Sequence, residues 1–273
     1  QLFKLAETVH SSEISRRDFT EKVQSFLSKT GQDAVLACGI GLAIIGRYKE
    51  AVEKLNQAKD CAQKFAFLAI VLRKRGKYNE AIEIAKKAAG INDCEKWAMM
   101  FIARTYSEQK MHDEADKIIK KLEDKCPNDD EVLCSKAWDY ETRGMYRMAG
   151  ECYQNALQIN KENHRALFRL AYLADILGDE EAAIDYYKKL LEIKPKYCNA
   201  LMNMAVIEED NGKFQKALYY AKKVLKDFPN HQKARMAKKD IEAAIPCATM
   251  RNRKKSGPEE INCSIRRFRT SNY

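Results

Sequence analysis

Of 273 residues, 45% are hydrophobic and 32% charged, enough apolar content for a sizeable core and enough charge to face water. No apolar run reaches the ~18 residues that a membrane-spanning helix needs, so no membrane association is predicted. A net charge of +10 favours anionic partners, and nine cysteines without a CxxC pair point to free thiols in a reducing, cytoplasmic setting rather than a disulfide framework.

Residues 1–31 read as N-terminal capping helices. Ser15 and Asp18 have the spacing of a capping box, and Phe19, Val23, Phe26 and Leu27 form an apolar stripe behind it. No signal peptide is visible at Gln1, and what precedes Gln1 stays open.

From residue 32 the chain repeats. Ala81, Ala115, Ala149, Ala183 and Ala217 fall 34 residues apart, with Ala51 before them at a shorter step. Twelve residues ahead of each stands another small residue: Gly39, Ala69, Ala103, Ala137, Ala171 and Ala205. Small residues at facing positions let two helices approach closely. Between the two sets come Gly46, Gly76, Gly144, Gly178 and Gly212, suited to the left-handed position just past a helix end. Pro127, Pro195 and Pro229 fall at unit ends, where a helix must stop. The period therefore predicts an all-α solenoid of antiparallel helix pairs. Units are expected at 32–61, 62–95, 96–129, 130–163, 164–197 and 198–230. A capping helix is expected at 231–245, with Ala234, Met236, Ala237, Ile241 and Ala244 facing the last unit. Residues 246–273 read as a basic disordered tail, carrying seven Lys/Arg against Glu259 and Glu260.

These residues resemble the tetratricopeptide repeat family over residues 32–230. Gly178-Asp179-Glu180-Glu181-Ala182-Ala183, Ile193-Lys194-Pro195 and Gly212-Lys213-Phe214-Gln215-Lys216-Ala217 are close to the family pattern. Unit 1 is short, unit 3 lacks its turn glycine, and unit 4 has Lys161 where proline is usual. The resemblance implies six units in a right-handed superhelix, working as a non-enzymatic interaction scaffold with a protein or peptide partner.

An enzyme is not expected. Gly41-x-x-x-x-Gly46 is followed by Arg47-Tyr48 instead of the Lys and Ser/Thr of a phosphate loop, and no strand precedes it. His10, His112, His164 and His231 lie in different units without partners at ligand spacing, so no metal, cofactor or small-molecule substrate is predicted.

The family's first helices line a concave groove. By repeat phase that groove would hold Met100, Arg104, Cys134, Trp138, Arg165, Arg169, Tyr172, Met202 and Asn203, which suits a peptide or helix segment. Arginines would pair with its carboxylates and aromatics would hold its apolar side chains. Trp97, Phe101 and Phe168 share the phase and read equally as core. Some family members grip a chaperone's C-terminal carboxylates. Arg165 and Arg169 occupy two places of that clamp here, but Met100, Arg104 and Ser135 leave it incomplete.

A second reading uses the basic segment, with Arg251, Arg253, Lys254 and Lys255 as nucleic-acid contacts. Units 4–6 also resemble repeat arrays that in some bacteria precede a domain similar to the C-terminal domain of RNA polymerase α. That resemblance implies an association with RNA polymerase or nucleic acid.

Overall fold

The computed structural model describes Val9 and residues 12–29, 31–91 and 94–253, with the backbone alone for 246–253. Regular structure among the described residues is α-helical. A leading helix, α1 (Glu13–Ser25), precedes six hairpins. These pair α2 (Gln32–Ile45) with α3 (Tyr48–Gln57), α4 (Ala62–Lys74) with α5 (Tyr78–Ala89), and α6 (Glu95–Glu108) with α7 (His112–Lys125). They continue with α8 (Asp130–Thr142) and α9 (Tyr146–Ile159), α10 (His164–Ile176) and α11 (Glu180–Ile193), and α12 (Cys198–Asp210) and α13 (Phe214–Asp227). A long helix, α14 (Gln232–Arg253), follows.

Each hairpin turns the same way. Gly46, Gly76, Gly144, Gly178 and Gly212 have φ between 70° and 88°. The residue after each donates its N–H back to a carbonyl five residues earlier, as Lys77 does to Leu72 and Asp179 to Ala174, at 2.9 and 2.8 Å. That is the bond of a glycine-ended helix. The third hairpin has no glycine here. Lys110 takes the left-handed position at φ 61°, and Met111 still donates to Tyr106 at 2.9 Å.

The small residues set the helix spacing. All six periodic alanines, from Ala51 to Ala217, are fully buried, as are Ala69, Ala103, Ala137 and Ala171. A Cβ on Gly39 would fall 2.8 Å from Leu55 Cγ and 3.0 Å from the Leu55 backbone nitrogen, so this glycine fixes the approach of α3 to α2. A Cβ on Gly41 would lie 2.5 Å from Val23 Cγ2, which does the same for α1.

The chain divides into two compact units. The first, spanning 14–163 with Val9, contains the first four hairpins. Its cores join Ile40, Ile44, Phe67, Leu68 and Phe101, and separately Val23, Cys38, Leu42, Ile45 and Val71 with Phe19, Phe26 and Leu27 packed against them. The second, from His164 onward, contains the last two hairpins and α14, with Leu201, Met202, Val224, Ala234, Ala237 and Ile241 in its core.

Two expectations change. Helix α1 starts at Glu13, so Ser15 and Asp18 lie inside it and do not form its cap. Helix α14 continues past residue 245 to Arg253, through Pro246. A proline removes one backbone bond and bends a helix without always ending it.

Candidate partner-binding surfaces

The first helices α4, α6 and α8 bring charged and aromatic side chains together in the first unit. Arg104 lies with its guanidinium 4.5 Å from the Trp138 ring centroid and donates Nε to Glu108 Oε1 at 3.2 Å. Arg73, from the end of α4, donates to the same Glu108 oxygen at 2.7 Å and lies 5.1 Å from the Phe101 ring. Trp97 stacks on Phe101 with centroids 5.2 Å apart. Met100, Arg104 and Trp138 are half-buried, so each has surface to offer a ligand.

In the second unit, Arg165 and Tyr172 are half-buried on α10, and the Arg169 guanidinium lies 4.9 Å from the Tyr172 ring. Asn203 donates to Tyr187 Oη at 2.7 Å inside the unit. Phe168 packs against Tyr187 and Tyr197, at centroid distances of 6.0 and 5.3 Å.

Four of the nine groove candidates have their side chains shut off from solvent. Cys134 and Arg169 are 2% exposed, and Met202 and Asn203 are fully buried. Repeat phase identifies the helix face, but neighbouring first helices and the paired second helix cover the flanks of that face. Met202 joins the core of the second unit, Asn203 is held by Tyr187, and the Cys134 sulfur meets Asn163 Nδ2 at 3.5 Å. These four are therefore packing residues in this structure, as are Phe101 and Phe168. Met100, Arg104 and Trp138 remain on the first unit, and Arg165 and Tyr172 on the second. Of the nucleic-acid candidates, Arg251 and Arg253 are described only as backbone of α14, and Lys254 and Lys255 lie outside the described residues.

Sequence reasoning missed Arg73 and Glu108. Lys74 and Glu108 occupy the same repeat position one period apart, so a change of sign across that step was the available signal.

Ser, His and Asp do meet, in a non-catalytic arrangement. Buried Asp139 accepts from Ser107 Oγ at 2.7 Å and Arg143 Nε at 2.6 Å, and faces His112 Nδ1 at 2.9 Å. The Ser107 hydroxyl is 1% exposed and gives its proton to the carboxylate, not to the imidazole. A nucleophile needs the reverse connectivity and an open face. The cluster ties α6, α7 and α8 together. Burial pushes the thiols of Cys38 and Cys152 up, and that of Cys198 to about 11, which disfavours their thiolate forms at neutral pH. Among the described residues no group of three His, Cys, Asp or Glu side chains is placed to hold a metal ion, and no helix is long and apolar enough to cross a membrane.

Stacked helical hairpins with a left-handed turn in each define a class of interaction arrays. Family models described as tetratricopeptide repeat match residues 72–137, 164–197 and 199–231, and the chain is a tetratricopeptide repeat protein. No curated protein matches it. Among solved structures, a chain of the APC/C hetero-tetramer Cut9-Hcn1 is similar at TM-score 0.55 and 16% identity, covering 88% of this chain and 48% of that one. This chain thus spans about half the length of that relative. A thermophilic TPR protein of Thermus thermophilus is similar at TM-score 0.52 and 17% identity, covering 70% of this chain and all of that one. At these identities the likeness is one of fold. Neither of these two structures bears on RNA polymerase. Tetratricopeptide repeats generally serve as protein–protein interaction scaffolds and are typically non-enzymatic.

Proposed function

We propose that the chain is a non-enzymatic scaffold that holds a peptide or helical segment of a protein partner against its first helices. The observation that carries this reading is the half-buried Trp138 ring under the Arg104 guanidinium at 4.5 Å. A large ring held in place by a cation, with part of its face open, is the residue type and setting of binding hot spots. Met100 belongs to that candidate surface on the first unit, and the half-buried Arg165 and Tyr172 are separate candidates on the second. None of the seven described cysteines forms a disulfide, which supports a cytoplasmic, reducing location.

The test is affinity capture from a native lysate with the full chain and its Trp138→Ala and Tyr172→Ala variants, with and without nuclease. One protein retained by the parent chain and lost with a variant of unchanged helical content supports the scaffold. The +10 charge, half of it in residues 246–273, favours the second reading, in which the basic segment contacts nucleic acid. Capture that survives both substitutions but disappears with nuclease would move the function there and sink the groove reading.

A further inference from the structure

We propose that the first unit holds an acidic side chain of the bound protein segment at the Arg73 and Arg104 guanidinium groups, with the half-buried Trp138 ring beside it. This rests on the scaffold reading and adds the chemistry of one contact.

Arg73 and Arg104 converge on a single oxygen, Glu108 Oε1, at 2.7 and 3.2 Å. Two guanidinium groups thus share one carboxylate, and the trio keeps one positive charge in excess. Lys74, at the end of α4, brings a third cation into the same field. Burial lowers the Arg73 pKa, Glu108 raises it and Arg104 lowers it again. Burial lowers the Lys74 pKa as well, with Arg73 and then Arg104 adding to the effect. The cations repel one another in a partly desolvated place, and an incoming carboxylate offsets that repulsion.

The donors are held ready. Each guanidinium lies on a ring, Arg73 on Phe101 at 5.1 Å and Arg104 on Trp138 at 4.5 Å. That contact fixes the plane of the fork before a ligand arrives, which lowers the ordering cost of binding. The Arg104 and Glu108 side chains are 27% and 26% exposed, so a ligand oxygen has access to the shared position. Arg73, at 14%, supplies its charge from deeper in the unit. The flat two-oxygen group of Asp or Glu matches a guanidinium fork. Beside it, Trp97 stacked on Phe101 offers an apolar wall for a neighbouring aliphatic residue of the segment. A nucleic-acid backbone fits less well, because Glu108 stands in the middle of the patch and repels a run of phosphates.

Selecting phage-displayed 12-residue peptides on the full chain tests this. The selected peptides are synthesised with a fluorescent label and titrated against the parent chain, Arg104→Gln and Glu108→Gln. Circular dichroism checks that both variants are folded. The expected peptides carry Asp or Glu at one fixed place. Changing that residue to its amide, or making Arg104→Gln, weakens binding about tenfold, in line with loss of one charge-assisted hydrogen bond. Glu108→Gln tightens binding several-fold, because it removes the internal competitor. A merely structural role predicts weakening by both variants, and that result overturns the proposal. Peptides without an acidic preference, bound equally by all three proteins yet lost with Trp138→Ala, overturn the proposal and leave the scaffold standing. Failure to select any peptide that depends on Trp138 or Tyr172 overturns both.

Discussion

Replacing Lys110 with glycine should stabilise the first unit. Lys110 stands at φ 61°, the position that Gly46, Gly76 and Gly144 hold in the other hairpins of that unit. In the left-handed region a side chain's Cβ crowds the following carbonyl oxygen, which costs about 1–2 kcal/mol. Glycine removes that strain but gives the unfolded chain more freedom, an opposing effect of roughly 0.5–1 kcal/mol. Lys110 is exposed, so little packing is lost with its side chain. The net gain is about 0.5–1 kcal/mol. Urea unfolding followed by circular dichroism would show it as a higher midpoint with an unchanged slope. The reverse change, Gly144→Ala, places a Cβ at φ 78° and should lower the midpoint by a comparable ~1 kcal/mol. If Lys110→Gly leaves the midpoint unchanged or lowers it while Gly144→Ala behaves as expected, the third turn is not strained and the reasoning fails.

Gly39→Ala should destabilise despite the better helix propensity of alanine. The gain of about 1 kcal/mol is outweighed by overpacking against Leu55 of roughly 1–3 kcal/mol, since one clash is with backbone that cannot swing away. Gly150→Ala on α9 meets nothing within 4 Å and should gain up to ~1 kcal/mol, so equal urea midpoints for the two variants would refute the close-approach argument. Burial, then Asp210 and Asp240, push the Glu209 carboxyl from 4.5 up to about 7. The folded state therefore holds a proton that the unfolded state has released. The associated stability is fully present below about pH 4.5 and is lost as pH rises through about 7. Allowing for the solvent that reaches Glu209, the loss is about 1–2 kcal/mol, and Glu209→Gln should remove it. Parallel melting curves of the parent and the variant across pH 5–8 would contradict this.

The period of 34 made the fold readable, because hairpin packing reuses the same small residues at every step. Ala69, Ala103, Ala137 and Ala171 are invisible to solvent for one reason: no larger side chain fits where two helices touch. Turn chemistry was legible at the five glycines, but not at the third hairpin, where nothing in a lysine announces that Lys110 takes the same left-handed position. The candidate surface was only half legible. Phase placed Arg104, Cys134, Trp138, Arg169 and Met202 on the first helices, but a helix face has flanks as well as a crest. Neighbouring helices cover the flanks, and only coordinates separate the buried Met202 from the half-open Trp138. The Asp139 cluster was unreadable for another reason. Its members come from α6, α7 and α8, and nothing in their spacing announces that Ser107, His112 and Arg143 converge on one carboxylate.

That contrast separates the residues that build the array from those that give it a use. Positions that pack hairpins scarcely vary along the chain, because every hairpin meets the same steric demand. The place of Arg104 behaves differently. One period later it is Trp138, then Tyr172, then Val206, a cation, two rings and an aliphatic group on equivalent turns of successive first helices. Helix packing asks for no such variety. Val206 is 2% exposed and belongs to the interior, whereas Arg104, Trp138 and Tyr172 keep open surface. A repeat whose backbone demands are uniform acquires specificity through the positions where its units disagree. Within the first unit the disagreement is sharpest at Lys74 and Glu108, where opposite charges replace one another one period apart, and Arg73 and Arg104 pair with that Glu108. The chemistry of a partner should therefore be sought in those departures, and the uniform geometry beneath them explains why they stay in register.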